Sequence, residues 1–251
     1  MPQGTSSSSS VLYSTTSTDN GVTWTTPVNL NAALKSPTWY VLSAVVGVGI
    51  QLNRQTVAQG SANGRLIFPA FVKDASAAYR NVSVYSDDYG STWNISTSMT
   101  PDNGPTEADM TELLNGQLLL SSRNDGAGSA NRYHYLSSDG GATWTDISIG
   151  GIVVTRVDCG LLYYNKRNVS DTNRVLFCGP LGSPIGSGSS RVNLGVWKST
   201  DEGVTFPTYT QLVSGYSAYS QIIRESDSTI GIIVETSASQ VSYLNLTVDG
   251  L

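Results

Sequence analysis

Ser137-Ser138-Asp139-Gly140-Gly141-Ala142-Thr143-Trp144 decides how this chain is read. The pattern S-x-D-x-G-x-T-W returns at Ser17–Trp24 and at Ser86–Trp93, and a fourth copy, Ser199–Phe206, ends on Phe. Each residue type suits a tight turn. Asp accepts hydrogen bonds from the N–H groups of the turn, and Gly supplies a positive φ. Ser and Thr satisfy neighbouring backbone groups, while the ring folds underneath as an apolar anchor. The copies start 69, 51 and 62 residues apart. Long, uneven repeats built of short strands predict an array of similar sheets, which is how a β-propeller reads in sequence.

The totals agree with that class. A chain of 251 residues can bury one large core, and only 13% of its residues are charged. Abundant Gly, Ser and Thr suit strands and turns better than helices. Lys plus Arg is 14 against 19 Asp plus Glu, a net charge of −5. An acidic chain with no basic run is a poor partner for nucleic acid or an anionic membrane. The apolar run Val41–Ile50 is too short to span a bilayer. Residues 1–10 read as a disordered Ser-rich tail without the apolar segment of a secretion signal, leaving 11–251 as one domain. His134 is the only histidine, so no Cys/His metal constellation is indicated. It reads as a surface or barrel-lining strand residue, and no metal or cofactor is expected. Cys159 and Cys178 lie in consecutive strand-like segments and leave two readings open, a disulfide or two buried thiols.

Along the chain, Gly47-Val48-Gly49 inside Val41–Leu52 predicts a kinked strand or a close backbone approach. Asn115-Gly116, between Thr111–Leu114 and Gln117–Ser122, predicts a hairpin with a type I′ turn. Gly179–Ser190 reads as an exposed, mobile loop. No segment holds a 3.6-residue apolar period for more than two turns.

Reactive groups gather at strand ends. Glu107 begins the strand before the Asn-Gly hairpin, and Arg123 ends the strand after it. Arg191 begins the strand before the fourth turn motif, and Tyr219 begins the strand after that motif. In a propeller, strand ends of one sense share one face near the axis, so these four side chains can converge. Two guanidiniums aimed at one point form a carboxylate clamp. A tyrosine beside a glutamate can be a nucleophile, because the carboxylate takes the phenol proton as attack begins.

The stretch Thr106-Glu107 through Arg123 resembles the Glu–strand–turn–strand–Arg segment of the exo-α-sialidases, and S-x-D-x-G-x-T-W is similar to that family's Asp-box. Gly47–Leu52, Gly64–Pro69, Asp158-Cys159-Gly160, Ala218-Tyr219-Ser220 and Gly231–Glu235 follow in family order. The resemblance runs from about residue 11 to the C-terminus. It implies a six-bladed β-propeller and a retaining hydrolase acting on sialylated glycans, in a secreted or extracellular setting. It also implies roles: Tyr219 as nucleophile, Glu107 as its base, Arg123 and Arg191 on the sugar carboxylate, and Glu235 steadying a clamp arginine. The family has a third clamp arginine and an acid/base Asp ahead of the first Asp-box. This chain has no Arg before Arg54, and Asp19 belongs to the box itself. The first blade is therefore expected to be incomplete and turnover impaired. Arg54, Arg65 and Arg80 read as structural rather than as substitutes. The alternative is an inactive Asp-box propeller that binds sialylated glycans.

Overall fold

The computed structural model describes residues 10–57, 60–76, 78–100, 104–125, 132–147, 149, 152–165, 172–183, 185 and 189–251. Strands β1 (Tyr13–Ser14) and β2 (Val28–Asn29) form a two-stranded ribbon. In the first blade, β3 (Trp39–Ala44) and β4 (Ile50–Gln51) both pair with β5 (Leu66–Asp74), followed by β6 (Tyr79–Ser86) and β7 (Asn94–Ile95). The second blade runs β8 (Pro105–Glu112), β9 (Leu118–Asn124), β10 (Tyr133–Ser137) and β11 (Thr145–Ile147). The third runs β12 (Gly160–Tyr164), β13 (Arg174–Pro180), β14 (Val192–Ser199) and β15 (Thr208–Tyr216). The fourth has β16 (Ser220–Arg224), β17 (Thr229–Ser237) and β18 (Gln240–Thr247). The fold is all-β, with four blades in propeller-like succession where the sequence led us to expect six, the first incomplete. The tail read as disordered lies outside the described residues except for Ser10, whose hydroxyl donates to Leu42 O at 2.9 Å.

The core is not one mass but layers between blades. Leu30, Leu34, Leu42, Ala70 and Val82 lie under the ribbon. Leu52, Ile67, Met110, Leu118 and Tyr135 join the first blade to the second. Leu119, Val154, Leu161, Phe177 and Trp197 join the second to the third, and Leu176, Val196, Ile222 and Ile232 join the third to the fourth. Near the axis the contact is backbone on backbone. A Cβ on Gly47 would stand 2.1 Å from Ala108 O, and one on Gly160 would stand 2.6 Å from Ile222 N. Val41–Leu52 accordingly breaks into β3 and β4, with Gly47 at the close approach the sequence suggested.

Each Asp-box ends a strand with one repeated bond set. The Ser hydroxyl donates to Asp Oδ1 at 2.7, 2.8, 2.8 and 2.6 Å in the four copies. The Thr hydroxyl donates to Asp Oδ2 at 2.5, 2.7, 2.6 and 2.7 Å. The residue before each central Gly is also left-handed: Asn20 (58°), Tyr89 (56°), Gly140 (67°) and Glu202 (59°). Two consecutive left-handed residues make these the type I′ turns. At Asn115-Gly116, where that turn was expected, only Gly116 (82°) is left-handed. Asn115 Oδ1 instead accepts the Gln117 N–H at 2.9 Å, and Gly116 N–H donates to Leu113 O at 3.1 Å. The side chain holds Asn115 at the closing end of a type I turn, and Gly116 forms the bulge.

The boxes also staple blades together. Ser83 Oγ in the first blade donates to Gly141 O at 2.6 Å, and Arg65 Nη1 donates to Gly140 O at 2.8 Å. Leu114 N–H in the second blade donates to Glu202 Oε2 at 2.8 Å.

Three further readings are decided. His134, read as a surface or barrel-lining residue, is buried in β10 at 4% exposure, which removes the surface alternative. Cys159 and Cys178 are buried free thiols, which resolves the open choice between thiols and a disulfide. Gly179 and Pro180 belong to β13, and Leu181 is buried, so the loop expected from Gly179 begins later. Among the described residues no helix is long and apolar enough to cross a membrane, and no three metal-ligating side chains gather.

Candidate active site

Antiparallel order puts the Asp-boxes at one end of the blades and a different set of residues at the other. At that second end lie the start of β8, the end of β9, the starts of β10, β12, β14 and β16, and the end of β17. Glu107 and Arg123 face each other across β8 and β9, where a register shift between Pro105 and Ala108 bends the strand. Tyr219 comes from the lead into β16, with its backbone pinned by bonds from Ala218 N–H to Glu235 O and from Glu235 N–H to Tyr219 O, both 3.0 Å.

The three side chains form a closed set. The Tyr219 hydroxyl donates to Glu107 Oε1 at 2.7 Å. Arg123 Nη1 donates to Glu107 Oε2 at 2.6 Å and to Tyr219 Oη at 3.1 Å. The Arg191 guanidinium lies 5.4 Å from the centre of the Tyr219 ring, and its Nη2 donates to Arg156 O at 3.3 Å. Glu235 lies beside Tyr219 through its backbone only; its carboxylate makes no hydrogen bond or ion pair among the described residues. Arg54, Arg65 and Arg80 serve elsewhere, on Glu112 O (3.1 Å), Asp87 (2.7 Å) and Asp74 (2.6 Å).

Electrostatics follow from this packing. Burial raises the Tyr219 phenol above its ordinary pKa and the Glu107 carboxylate raises it further, while Arg123 and Arg191 pull the other way. The phenol is therefore neutral at rest. Burial alone would weaken the charge on Arg123, but Glu107 and Asp125 more than offset it and hold the guanidinium protonated. Asp125, which sequence reasoning passed over, accepts from Arg123 Nε at 2.7 Å and from Thr106 Oγ1 at 2.9 Å. Its signal was the Arg-x-Asp spacing at the end of β9.

Beneath this set runs a buried polar seam that the sequence did not announce. Asp109 accepts N–H bonds from Leu161 (2.9 Å), Met110 (3.0 Å) and Val48 (3.3 Å), so one carboxylate ties three blades. Burial still raises it to about 6. Arg132 donates to Ser121 Oγ (2.9 Å) and to Val157 O (2.8 Å). Burial pushes Asp158 up to about 7, against the pull of Arg132, with Asp109 and Glu107 adding to the rise. Burial lowers His134 to about 3, and Arg132 adds to the effect.

A propeller of Asp-box blades with a tyrosine, a glutamate and two arginines at one end is the class that fold and geometry define. Residues 1–232 match the BNR repeat-like domain family, and the chain belongs to that family, among the sialidases with Asp-box repeats. It is 39% identical over 226 residues to a sialidase of Vibrio cholerae serotype O1, covering 80% of this chain and 28% of that protein. A sialidase of Micromonospora viridifaciens is 31% identical over 233 residues, covering 92% of this chain and 34% of the relative. Among solved structures, a Hadza microbial sialidase superposes with a TM-score of 0.80 at 25% identity, over 96% of this chain and 44% of that one. The intramolecular trans-sialidase from Ruminococcus gnavus shares the fold, with a TM-score of 0.76 at 23% identity over 96% of this chain and 51% of that one. The chain thus spans about a third of the curated relatives it matches.

Proposed function

We propose that this chain carries the nucleophile and part of the carboxylate clamp of an exo-α-sialidase, a retaining glycoside hydrolase that releases terminal sialic acid from glycans. The three-way contact of Tyr219, Glu107 and Arg123 carries this reading. Sialidases are the tyrosine-nucleophile exception among glycosidases. A neutral phenol approaches an anionic sugar without the repulsion a carboxylate would meet. As Tyr219 Oη bonds to the anomeric carbon, its proton passes to Glu107 Oε1 and the aglycone leaves with the electron pair of the broken bond as an oxyanion. Water then displaces the phenol from the glycosyl-enzyme, the proton returns from Glu107 to Tyr219, and the proton shed by the water passes through solvent to the aglycone oxyanion. Two displacements retain the configuration. Arg123 and Arg191 hold the sugar carboxylate, as charge-assisted and bidentate pairs do.

The same reading makes 11–251 a six-bladed domain with its first blade incomplete. It is supported by apolar sheet faces left open at the two ends of the series. Ile223 (43% exposed), Ile233 (48%) and Tyr243 (52%) share the outer face of the fourth blade, and Tyr13 (57%) and Val28 (57%) stand out on the ribbon. The apolar faces between adjacent blades are buried. The leaving-group acid has no counterpart in this sequence, a loss worth about 10²–10⁴-fold in rate. The chain should therefore turn over an aryl sialoside, which needs no acid, far faster than sialyllactose. Tyr219→Phe should abolish that turnover. Equal rates on the two substrates, or a Tyr219→Phe variant as fast as the parent, would overturn the proposal.

A further inference from the structure

Among the described residues, six non-glycine residues have positive φ. Asn20, Tyr89 and Glu202 belong to Asp-box turns, while Ser61 and Ser190 lie in loops. Asn193, at 64°, is the one inside a strand, β14. Asn tolerates this region better than most residues, yet strand backbone elsewhere avoids it. The β14–β15 ladder slips on both sides of the next residue. Leu194 pairs with Val213 but Val192 pairs with Tyr216, so β15 advances one residue further than β14. The extra residue lies on β15, where Gly215 is also left-handed (85°), and irregularities of this kind gather beside active sites.

The Asn193 side chain holds the irregularity from three directions. Nδ2 donates to Gly182 O at 2.8 Å, in the turn before β14. Oδ1 accepts from Gly215 N–H at 3.3 Å and from Gln211 Nε2 at 3.4 Å, both on β15. Beyond the slip, Ser217 N–H donates to Arg191 O at 3.0 Å, which places Arg191 level with the segment that leads into Tyr219. A left-handed residue two places after Arg191 interrupts the alternation of side chains along β14.

We propose that Asn193 is a positioning residue whose left-handed backbone and side-chain bonds lay the Arg191 guanidinium over Tyr219, and thereby set the grip on an anionic sugar. The sugar-binding half of this inference rests on the sialidase reading above. The placement of Arg191 does not.

The test uses the full chain, with sialic acid as the probe in calorimetry. Asn193→Val, a β-branched residue that resists positive φ, should weaken binding about ten- to hundredfold, the worth of a charge-assisted hydrogen bond. Asn193→Gly keeps the backbone free to stay left-handed but loses the side-chain bonds, so its affinity should fall between those of the parent and Asn193→Val. In an Arg191→Ala background, Asn193→Val should cost nothing more, because both act through one group. Wild-type affinity in Asn193→Val, equal losses in the Gly and Val variants, or full additivity with Arg191→Ala would overturn the inference. If thermal unfolding shows Asn193→Val unfolded, Asn193→Ala replaces it with the same expected direction. A readout free of sugar separates the two readings: the titration of Tyr219 in ring-labelled protein, assigned with Tyr219→Phe. The Arg191 charge lowers the Tyr219 pKa, so Asn193→Val should raise it as far as Arg191→Ala does. An unchanged Tyr219 titration sinks the inference whatever the protein binds. A shifted titration in a protein that binds no sialic acid supports the placement and sinks the sialidase reading.

Discussion

The Tyr219 hydroxyl reaches Glu107 Oε1 at 2.7 Å across 112 positions of sequence. Arg123 closes the set by donating to both. One carboxylate therefore both accepts the phenol proton and balances a guanidinium. Glu107→Gln keeps the size of the side chain and an acceptor for Tyr219, but an amide can neither take the phenol proton nor balance Arg123. We expect kcat on an aryl sialoside to fall about 10²–10⁴-fold with KM changed little. A Glu107→Gln variant within a few-fold of the parent kcat would show that the glutamate only orients the ring.

The Asp-boxes differ in what they hold. Asp19 serves an exposed turn on the ribbon, whereas Asp139 serves the turn whose carbonyls accept from Ser83 and Arg65 in the next blade. Asp139→Ala should destabilise the protein by roughly 1–3 kcal/mol, the worth of hydrogen bonds to a charged group, because the turn it closes also carries the carbonyls that Ser83 and Arg65 hold. Asp19→Ala should cost only a fraction of that. Urea unfolding of the two variants checks the order, and equal losses would mean that the boxes are local turns rather than inter-blade staples.

What the sequence disclosed was local. An Asp-box fixes its own turn with its own side chains, so four copies sufficed for the all-β class. Glu107, Arg123, Arg191 and Tyr219 stood at strand ends readable from turn positions. What it hid arises only when blades meet. Nothing around Asp109 or Asp158 signals burial, because the neighbours that bury them come from other blades. Asn-Gly fits two hairpin turns equally, and the choice at Asn115 was made by its side-chain bond to Gln117. Asn193 lies in an ordinary strand sequence, and its backbone is set by Gly182, Gln211 and Gly215. The resemblance gives Glu235 to a clamp arginine that has no counterpart before Arg54, and its carboxylate accordingly takes no partner among the described residues.

Asp158 gives the fold a pH dependence of defined sign. Burial raises its folded pKa to about 7, against an ordinary value near 3.8. The folded protein thus holds this proton more tightly than the unfolded chain. The stability it contributes is full below about pH 4 and is lost as pH rises through about 7. His134 works oppositely, with a folded value of about 3, and its opposing slope fades as pH rises past the ordinary imidazole value of about 6.5. Between about pH 6.5 and 8 the melting temperature should therefore fall, and Asp158→Asn should flatten that slope. A slope unchanged in Asp158→Asn would assign it to another group.

Gly47 tests whether the axis positions the chemistry. An added Cβ would lie 2.1 Å from Ala108 O and 3.1 Å from Asp109 Cα, both backbone atoms of β8. Ala108 stands directly between Glu107 and Asp109, so relief must come from moving β8 or the first blade. At Gly49 the nearest atoms are 3.4 Å away, and a methyl group fits with little adjustment. Gly47→Ala should cost about 1–3 kcal/mol, as overpacking does, and Gly49→Ala well under 1 kcal/mol. Because the displaced strand carries Glu107, Gly47→Ala should also lower kcat on an aryl sialoside at temperatures where it remains folded. A folded Gly47→Ala variant with full activity would show that the start of β8 is held independently of the blade beside it.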